Sequence, residues 1–217
     1  MRSLTVPRLS ATHRDPWPSL QRAFDRSRAS DVLVEAPWSD FPYRPSVRLA
    51  IAHDGEVIYL RFSVREQGVL ARWTRTNDAV SEDSCVEFFV SPEPDGLYYN
   101  FEFNCIGTCL AAVGRERNGR EPLPPSVIDR IQRRATLGSD PIPVETKGDI
   151  RWELFAAIPI SLFVRHPLKT LSGSQMRANF YKCGDLLAVP HYLTWNRVES
   201  PRPDYHRPES FGKLHFA

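Results

Sequence analysis

The chain has very little net charge. Its 217 residues contain 28 Lys and Arg against 26 Asp and Glu, which gives a formal charge of +2 at pH 7. A surface this evenly balanced provides no broad attraction for nucleic acid or an anionic membrane. No apolar run approaches the ~18 residues of a membrane-spanning helix, and no apolar segment near Met1 resembles a signal peptide. We therefore expect neither a nucleic acid nor a membrane partner, and a cytoplasmic location.

Cysteine is also scarce. The four thiols are Cys85, Cys105, Cys109 and Cys183, too few for a disulfide framework and typical of free thiols in a reducing compartment. No C-x-x-C or H-E-x-x-H spacing is present, so buried structural thiols are the simpler interpretation, although Cys85, Cys105, Cys183, His191 and His206 could converge. G-x-S-x-G and phosphate-binding glycine motifs are absent too. We expect no bound metal and no cofactor.

Aromatic residues and proline are abundant instead. The chain has 5 Trp, 7 Tyr and 12 Phe together with 19 Pro. Proline interrupts helices and aromatic residues favour strands. We predict one all-β domain over residues 1–217, an antiparallel β-sandwich of jelly-roll or Greek-key type with short helices in the connections.

Turn residues and alternating patterns locate the elements. Predicted strands are Ser46–Ala52, Glu56–Val64, Ser84–Val90, Leu97–Asn104, Gly107–Val113, Ile150–Ile158, Gln175–Cys183 and Gly212–Phe216, with a hairpin turn at His53-Asp54-Gly55. Residues 1–45 are interrupted by proline and are predicted to be irregular, apart from a short helix near Ser19–Arg28. Residues 114–149 are predicted to form an insertion with a helix over Ser126–Arg134, and its arginines are interpreted as a solvated face.

Three of these strands carry one apolar and one polar face. Because side chains alternate along a strand, one set can fill a core: Val86, Phe88, Val90, Tyr99, Phe101, Phe103, Met176, Ala178 and Phe180. The opposite set is Glu87, Asn100, Glu102, Asn104, Arg177, Asn179 and Tyr181. Amides and carboxylates beside aromatic rings can hydrogen-bond sugar hydroxyls and stack on sugar rings. The alternatives are an ordinary solvated face, or polar groups that pair with one another beneath a loop.

Several segments resemble family 9 carbohydrate-binding modules, most closely a divergent branch of that family. They read D-S-C-V-E-F-F at Asp83–Phe89, N-F-E-F-N-C-I-G at Asn100–Gly107 and N-F-Y-K-C-G-D at Asn179–Asp185. Trp195 and the ending Tyr205–Leu214 resemble the family's closing W-x-x-P-x-x-F-G-x-L pattern. The order and spacing of these segments carry the resemblance, which spans roughly residues 40–217.

The resemblance implies a β-sandwich that binds a saccharide without cleaving it, with the sugar held between two Trp rings. By position, one ring becomes Tyr205, the hydroxyl-binding carboxylate becomes Glu87, and an asparagine becomes Asn104. The other Trp falls near Val80–Ser81, where no ring stands, and Trp73 is the candidate substitute.

The resemblance implies two further properties of the site. The family's basic residue on the second strand is Glu102 here, so the charge of the site differs. The family's modules bind structural calcium, but no Asp-rich calcium loop is evident in this sequence.

We therefore expect a mono- or oligosaccharide partner. The predicted ligand-binding residues are Glu87, Glu102, Asn104, Asn179, Lys182, Tyr205 and Trp73. Tyr205 lies among prolines, which predicts an exposed ring suited to stacking. His191, in the segment 181–192 near the site, is interpreted as a structural histidine.

Two other functions stay open. Paired carboxylates can hydrolyse glycosidic bonds, so Glu87 and Glu102 also fit a glycan-processing hydrolase. Alternatively, the sugar site is degenerate and the sandwich is an interaction scaffold, with its polar face covered by residues 104–151.

Overall fold

Thirteen strands form most of the regular structure in the computed structural model, which describes residues 1–217. They are β1 (Ser3–Val6), β2 (Ala29–Val32), β3 (Ser46–His53), β4 (Val57–Ala71), β5 (Cys85–Ser91), β6 (Tyr98–Asn104), β7 (Cys109–Gly114), β8 (Glu121–Pro122), β9 (Gln132–Ala135), β10 (Ile142–Pro159), β11 (Gln175–Cys183), β12 (Tyr192–Thr194) and β13 (Gly212–Phe216). The helices are α1 (Trp17–Ser27), α2 (Pro125–Ile128) and three short 3₁₀ helices at Val80–Glu82, Ile160–Leu162 and Pro208–Ser210. No helix is long and apolar enough to cross a membrane.

The strands form two sheets. The eight-stranded sheet runs β1-β13-β11-β5-β6-β7-β8, with β12 also paired to β11, and the five-stranded sheet runs β2-β3-β4-β10-β9. Every neighbouring pair is antiparallel except β1 with β13. The sheets pack around a cluster of 39 buried apolar residues. The predicted all-β sandwich is confirmed.

The core faces predicted from strand alternation are confirmed as well. The predicted apolar residues of β5, β6 and β11 all lie in the cluster between the sheets. Trp152 and Trp195 lie there too and are buried. Aromatic residues in this chain therefore mainly fill the core, as large apolar side chains usually do.

The hairpin turn between β3 and β4 also forms as predicted. Asp54 Oδ1 accepts hydrogen bonds from the backbone N–H groups of Glu56 and Val57 at 2.9 and 2.8 Å. Gly55 adopts φ 103°, in the left-handed region where a side chain would be strained. This turn fixes the register of β3 against β4.

Both β4 and β10 are longer than predicted. The prediction ends the first at Val64, and the following residues, Arg65 to Gly68, are polar or glycine. In the structure β4 continues to Ala71 and pairs with the first half of β10, with register shifts between them. Glu66 therefore lies on the inner face of a strand and is buried.

The segment predicted to be irregular and the predicted insertion both contribute strands to the two sheets. Within residues 1–45, α1 forms close to the predicted helix, β1 pairs with β13, and β2 pairs with β3. Within residues 114–149, the predicted helix over Ser126–Arg134 is wrong in its second half. The helix ends at Ile128, and Gln132–Ala135 forms β9, because its backbone pairs with the edge of β10.

A second apolar layer covers the outer face of the eight-stranded sheet. It consists of Trp38, Val80, Cys85, Phe89, Tyr98, Tyr181, Cys183, Val198, Tyr205 and Phe211. The residues that do not lie on the sheet come from the segment after β2 (Trp38), the segment between β4 and β5 (Val80) and the segment between β12 and β13 (Val198, Tyr205 and Phe211). The outer face is therefore buried over much of its area, and a pocket stays open within this layer.

Candidate functional site

The pocket has a volume of about 200 Å³ and lies on the outer face of β5, β6 and β11. Glu87, Glu102 and Cys183 line it from these three strands. The charged residues Arg117, Arg120, Asp185 and Asp204 and the ring-bearing residues Tyr192, Tyr205 and His206 surround them. The site thus combines strand residues at its floor with loop residues at its rim.

A larger cleft of about 550 Å³ lies on the outer face of the five-stranded sheet. Arg48, Arg65 and Arg151 line it, but no pair of carboxyl groups does. Its one aromatic residue, Trp152, is buried. The smaller pocket is therefore the candidate site, because it has paired polar groups and partly accessible rings.

Glu87 and Glu102 are brought together by the pairing of β5 with β6. They are direct cross-strand partners, which places their Cβ atoms about 4.5–5.5 Å apart on one face. Asn100 Nδ2 donates to Glu102 Oε1 at 3.0 Å, and Cys183 Sγ donates to Glu87 Oε1 at 3.1 Å. These bonds hold both carboxyl groups at the floor of the pocket.

Both carboxyl groups have raised pKa values. Burial raises the pKa of Glu87 well above its ordinary value, and the adjacent Glu102 raises it further. Burial also raises the pKa of Glu102 to about 7, against the opposing effect of Arg120. Because the pair resists double ionisation, it carries at least one proton near neutral pH. It can then both donate and accept hydrogen bonds.

Arg120 is the basic group nearest this pair. Its Nη1 lies 3.7 Å from Glu102 Oε1, and that buried atom makes no hydrogen bond with the protein. A buried guanidinium nitrogen without a hydrogen-bond partner is rare, because burial removes its hydrogen bonds to water and nothing replaces them. Its ion pair with Glu102 therefore leaves its hydrogen-bonding capacity unused within the protein.

The rim adds groups of mixed charge. Burial raises the pKa of Asp185 to about 6, against the opposing effect of the nearby Tyr192 hydroxyl. Burial and the nearby Arg120 lower the pKa of His206 to about 3, so its imidazole is neutral near pH 7. His206 Nδ1 lies 2.9 Å from Tyr98 Oη. The rim therefore offers both donors and acceptors.

Tyr205 lines the pocket, but the expectation that its ring is exposed is wrong. The side chain is 8% exposed and stacks on Tyr181, with ring centroids 4.0 Å apart and planes 8° apart. Its Oη donates to the carbonyl of Lys182 at 2.9 Å, and Tyr181 Oη donates to the carbonyl of Tyr205 at 3.0 Å. These reciprocal hydrogen bonds hold the proline-rich loop against the sheet, so the Tyr205 ring does not project into solvent.

Trp73 does not line the pocket. It is half-buried at the margin of the second apolar layer, where its indole N–H donates to Glu82 Oε2 at 3.0 Å. Ser81, at the position where the resemblance places the missing Trp, does line the pocket. No large ring therefore closes the pocket on that side.

Asn104 and Asn179 are predicted site residues whose amides are used by the protein itself. Asn104 Nδ2 donates to Asp83 Oδ2 at 2.9 Å and its Oδ1 accepts from Thr108 N at 2.9 Å. Asn179 Nδ2 donates to the carbonyl of Asn196 at 2.9 Å and its Oδ1 accepts from Asn196 N at 2.8 Å. Both residues are fully buried and neither lines the pocket. They attach loops to the sheet.

Lys182 lies on the opposite side of β11 from the pocket. It shares the inner face of the strand with Ala178 and Phe180 and points between the sheets. Its Nζ lies 2.8 Å from Glu66 Oε2 and 2.8 Å from His191 Nε2. All three side chains are buried. The structure therefore separates Lys182 from Glu87 and Glu102, and His191 occupies the structural position expected of it.

The residues that sequence reasoning missed are Arg117, Arg120, Asp204 and His206. The two arginines precede β8, in a segment whose arginines are interpreted from sequence as solvated. Arg120 reaches the floor because β8 pairs with β7 and closes this edge of the pocket. Asp204 and His206 are the chain neighbours of Tyr205. The predicted ligand-binding role of Tyr205 was the only indication in the sequence that they lie at the site.

The converging donor groups do not fit calcium. Only Cys85, Glu87 and Cys183 form a group of three or more His, Cys, Asp or Glu residues whose ligand atoms meet. Calcium takes six to eight oxygen ligands, whereas two of these three donors are sulfur. No role for calcium follows from this arrangement.

Comparison with known proteins places this chain in a family. The profile of carbohydrate-binding family 9 matches residues 19–216. A solved structure of a candidate carbohydrate-binding protein from Bacteroides uniformis ATCC 8492 is 39% identical with a TM-score of 0.94, covering 100% of this chain and 99% of that one. No curated protein matches the chain.

Two structures of a carbohydrate binding module of family 9 from Caldicellulosiruptor kristjanssonii share the fold. The complex with glucose is 13% identical, with a TM-score of 0.58 and coverage of 100% and 96%. The complex with cellotriose is 12% identical, with a TM-score of 0.61 and coverage of 99% and 93%. The profile match and the 39% identical structure establish that this chain belongs to carbohydrate-binding family 9.

Proposed function

We propose that this protein binds a saccharide in the pocket of the eight-stranded sheet and does not cleave it. The observation that carries the proposal is the floor itself, where the paired carboxyl groups of Glu87 and Glu102 lie beside the unpartnered Nη1 of Arg120. Membership of carbohydrate-binding family 9 supports a saccharide as the ligand, as do the family 9 complexes with glucose and cellotriose.

The chemistry of the floor suits hydroxyl groups. Each hydroxyl both donates and accepts, and a carboxyl pair that holds a shared proton can do the same. A guanidinium N–H adds a charge-assisted bond. The pocket of about 200 Å³ is smaller than the ~300–1,000 Å³ typical of drug-sized ligands. It therefore favours a monosaccharide or the end of a chain.

Recognition in this pocket depends more on polar contacts than on stacking. Tyr205 is covered by Tyr181, and no ring stands at Val80–Ser81. Tyr192 is the half-buried ring at the rim, and it packs against Trp38 and Phe41. We therefore expect affinity to depend mainly on Glu87, Glu102 and Arg120.

The alternative of a glycan hydrolase fits the arrangement less well. Hydrolysis needs two carboxyl groups that flank the scissile bond, about 5–9.5 Å apart across it. Glu87 and Glu102 are instead adjacent on one floor and face a ligand from the same side. This supports a binding role for both.

Calorimetry with a panel of hexoses, pentoses and their oligosaccharides, including glucose and cellotriose, tests the proposal. Glu102→Gln and Arg120→Met should each weaken binding by about 10–100-fold, because each removes a charged hydrogen bond worth about 1.5–3 kcal/mol. The matched control Glu93→Gln changes an exposed carboxylate in the β5–β6 loop and should have no effect. Absence of binding to every saccharide would support the scaffold alternative, and turnover of an aryl glycoside that Glu87→Gln abolishes would support the hydrolase.

A further inference from the structure

Two cysteines and a glutamate meet at the floor of the pocket. Cys85 on β5 and Cys183 on β11 are direct cross-strand partners, and Glu87 lies on the same face, two residues after Cys85. Glu87 Oε1 lies 3.1 Å from Cys183 Sγ and 4.0 Å from Cys85 Sγ. The ligand atoms of all three lie within 4.8 Å of one another. Three donor atoms therefore converge on one point.

These separations are close to those of a tetrahedral metal site. Zinc bonds of about 2.3 Å to sulfur and about 2.1 Å to oxygen place neighbouring ligand atoms about 3.5–3.8 Å apart. The observed separations bracket that range, so small side-chain rotations would suffice. The other two cysteines, Cys105 and Cys109, lie in the core between the sheets without a third donor.

The donor set also selects the kind of ion. Two thiolates and a carboxylate suit a borderline-soft divalent cation such as zinc, and they suit calcium or magnesium poorly. Such an ion offsets two of the three negative charges that its ligands carry, and Arg120 lies close enough to Glu87 to interact with its charge. The three donor atoms are therefore suited to a zinc-class ion in their chemistry as well as in their spacing.

The pocket provides an entry path for the ion. Cys183 and Glu87 both line the pocket, whereas Cys85 lies behind them and is fully buried. An ion held by the three residues is thus reached from the pocket side. With three protein ligands, the fourth position faces the pocket, which is the arrangement of an open zinc site.

We propose that Cys85, Glu87 and Cys183 bind a divalent cation of the zinc class, with the fourth coordination position open to the pocket. Both thiols, and Glu87 where its carboxyl group is protonated, release their protons to solvent on binding. The site joins β5 to β11 at the pocket floor. It does not depend on the proposed saccharide binding, because all of its ligands come from the protein.

A titration of the reduced, metal-free, saccharide-free protein with Co²⁺ tests this proposal. We expect sulfur-to-cobalt charge-transfer bands and tetrahedral d–d bands that saturate at one equivalent and disappear on addition of Zn²⁺. Cys85→Ala and Cys183→Ala should each abolish the thiolate bands, whereas the matched controls Cys105→Ala and Cys109→Ala should retain them.

Three outcomes would overturn the proposal. The first is that the wild-type protein shows no thiolate–cobalt absorption. The second is that the Cys85→Ala, Cys183→Ala double variant keeps this absorption, and the third is that Ca²⁺ displaces the cobalt. The wild-type titration is decisive even if a variant fails to fold. Because no saccharide is present, failure of saccharide binding leaves this result unchanged.

Discussion

The buried ion pair between the sheets offers a strong test of the structure, because it removes Lys182 from the site that the sequence predicts for it. Lys182 Nζ lies 2.8 Å from Glu66 Oε2, and both side chains are buried. Trp152 Nε1 donates to the other oxygen of Glu66 at 2.6 Å. Burial alone would raise the pKa of Glu66, but Lys182 and His191 lower it to about 2. The Glu66 carboxyl group is therefore ionised in the folded protein.

Lys182→Met keeps the length of the side chain but leaves the Glu66 carboxylate without its cation. Removing one partner of a buried pair costs about 3–5 kcal/mol. For a chain of this size, each kcal/mol lowers the melting temperature by about 2–4 °C, so we expect a decrease of about 6–20 °C. Adding Glu66→Gln should restore most of the loss, because an amide oxygen can still accept from Trp152.

Urea unfolding followed by tryptophan fluorescence measures both effects. The exposed Lys213→Met is the matched control and should leave the free energy of unfolding within about 0.5 kcal/mol of the wild-type value. The reasoning fails if Lys182→Met is as stable as this control. It also fails if Lys182→Met weakens saccharide binding tenfold without loss of stability, which would return Lys182 to the pocket.

Two further predictions concern the turn at Asp54 and the packing of Gly212. Burial opposes ionisation of Asp54, but hydrogen bonds led by the one from Tyr59 lower its pKa to about 2. The ionised form therefore stabilises the fold above about pH 4. This contribution, about 2 kcal/mol, is lost as the pH falls from about 4 to 2. The stability difference between wild type and Asp54→Asn in urea should therefore be larger at pH 6 than at pH 2, and an equal difference at both values would contradict the assignment. A Cβ at Gly212 would lie 2.4 Å from Trp195 Cζ3 and 2.8 Å from the Arg2 carbonyl, so Gly212→Ala should destabilise by about 1–3 kcal/mol. In the control Gly138→Ala, the added Cβ would meet no neighbouring atom, but the backbone has φ 82°. Its loss of stability should therefore come from backbone strain alone and be smaller than that of Gly212→Ala. A Gly212→Ala variant of wild-type stability would refute the close packing.

Strand alternation predicted the inner faces because it depends on local sequence alone. Val86, Phe88 and Val90 face the core for the same reason that Glu87 faces the other side. The same alternation places Lys182 with Phe180 on the inner face, so the signal for its true position was present in the sequence. The pairing of Lys182 with Glu66 could not be predicted, because the predicted strand ended at Val64 and did not include Glu66.

The outer face could not be predicted in the same way. Alternation separates two faces, but it does not distinguish a face exposed to solvent from one covered by loops distant in sequence. Asn104 and Asn179 are polar because they hydrogen-bond loop backbones. Tyr205 is buried because its loop closes on Tyr181. Arg120 reaches the pocket through β8, a two-residue strand that leaves almost no sequence pattern.

The central claim is that a saccharide binds at the paired carboxyl groups of the eight-stranded sheet. An NMR titration of the isotope-labelled protein with glucose, cellotriose and the other saccharides of the panel tests it most directly. We predict chemical-shift changes at Glu87, Glu102, Arg120 and His206, and none around Arg48 and Arg151 on the five-stranded sheet. Changes confined to the cleft at Arg48 and Arg151, or no change with any saccharide, would contradict the claim.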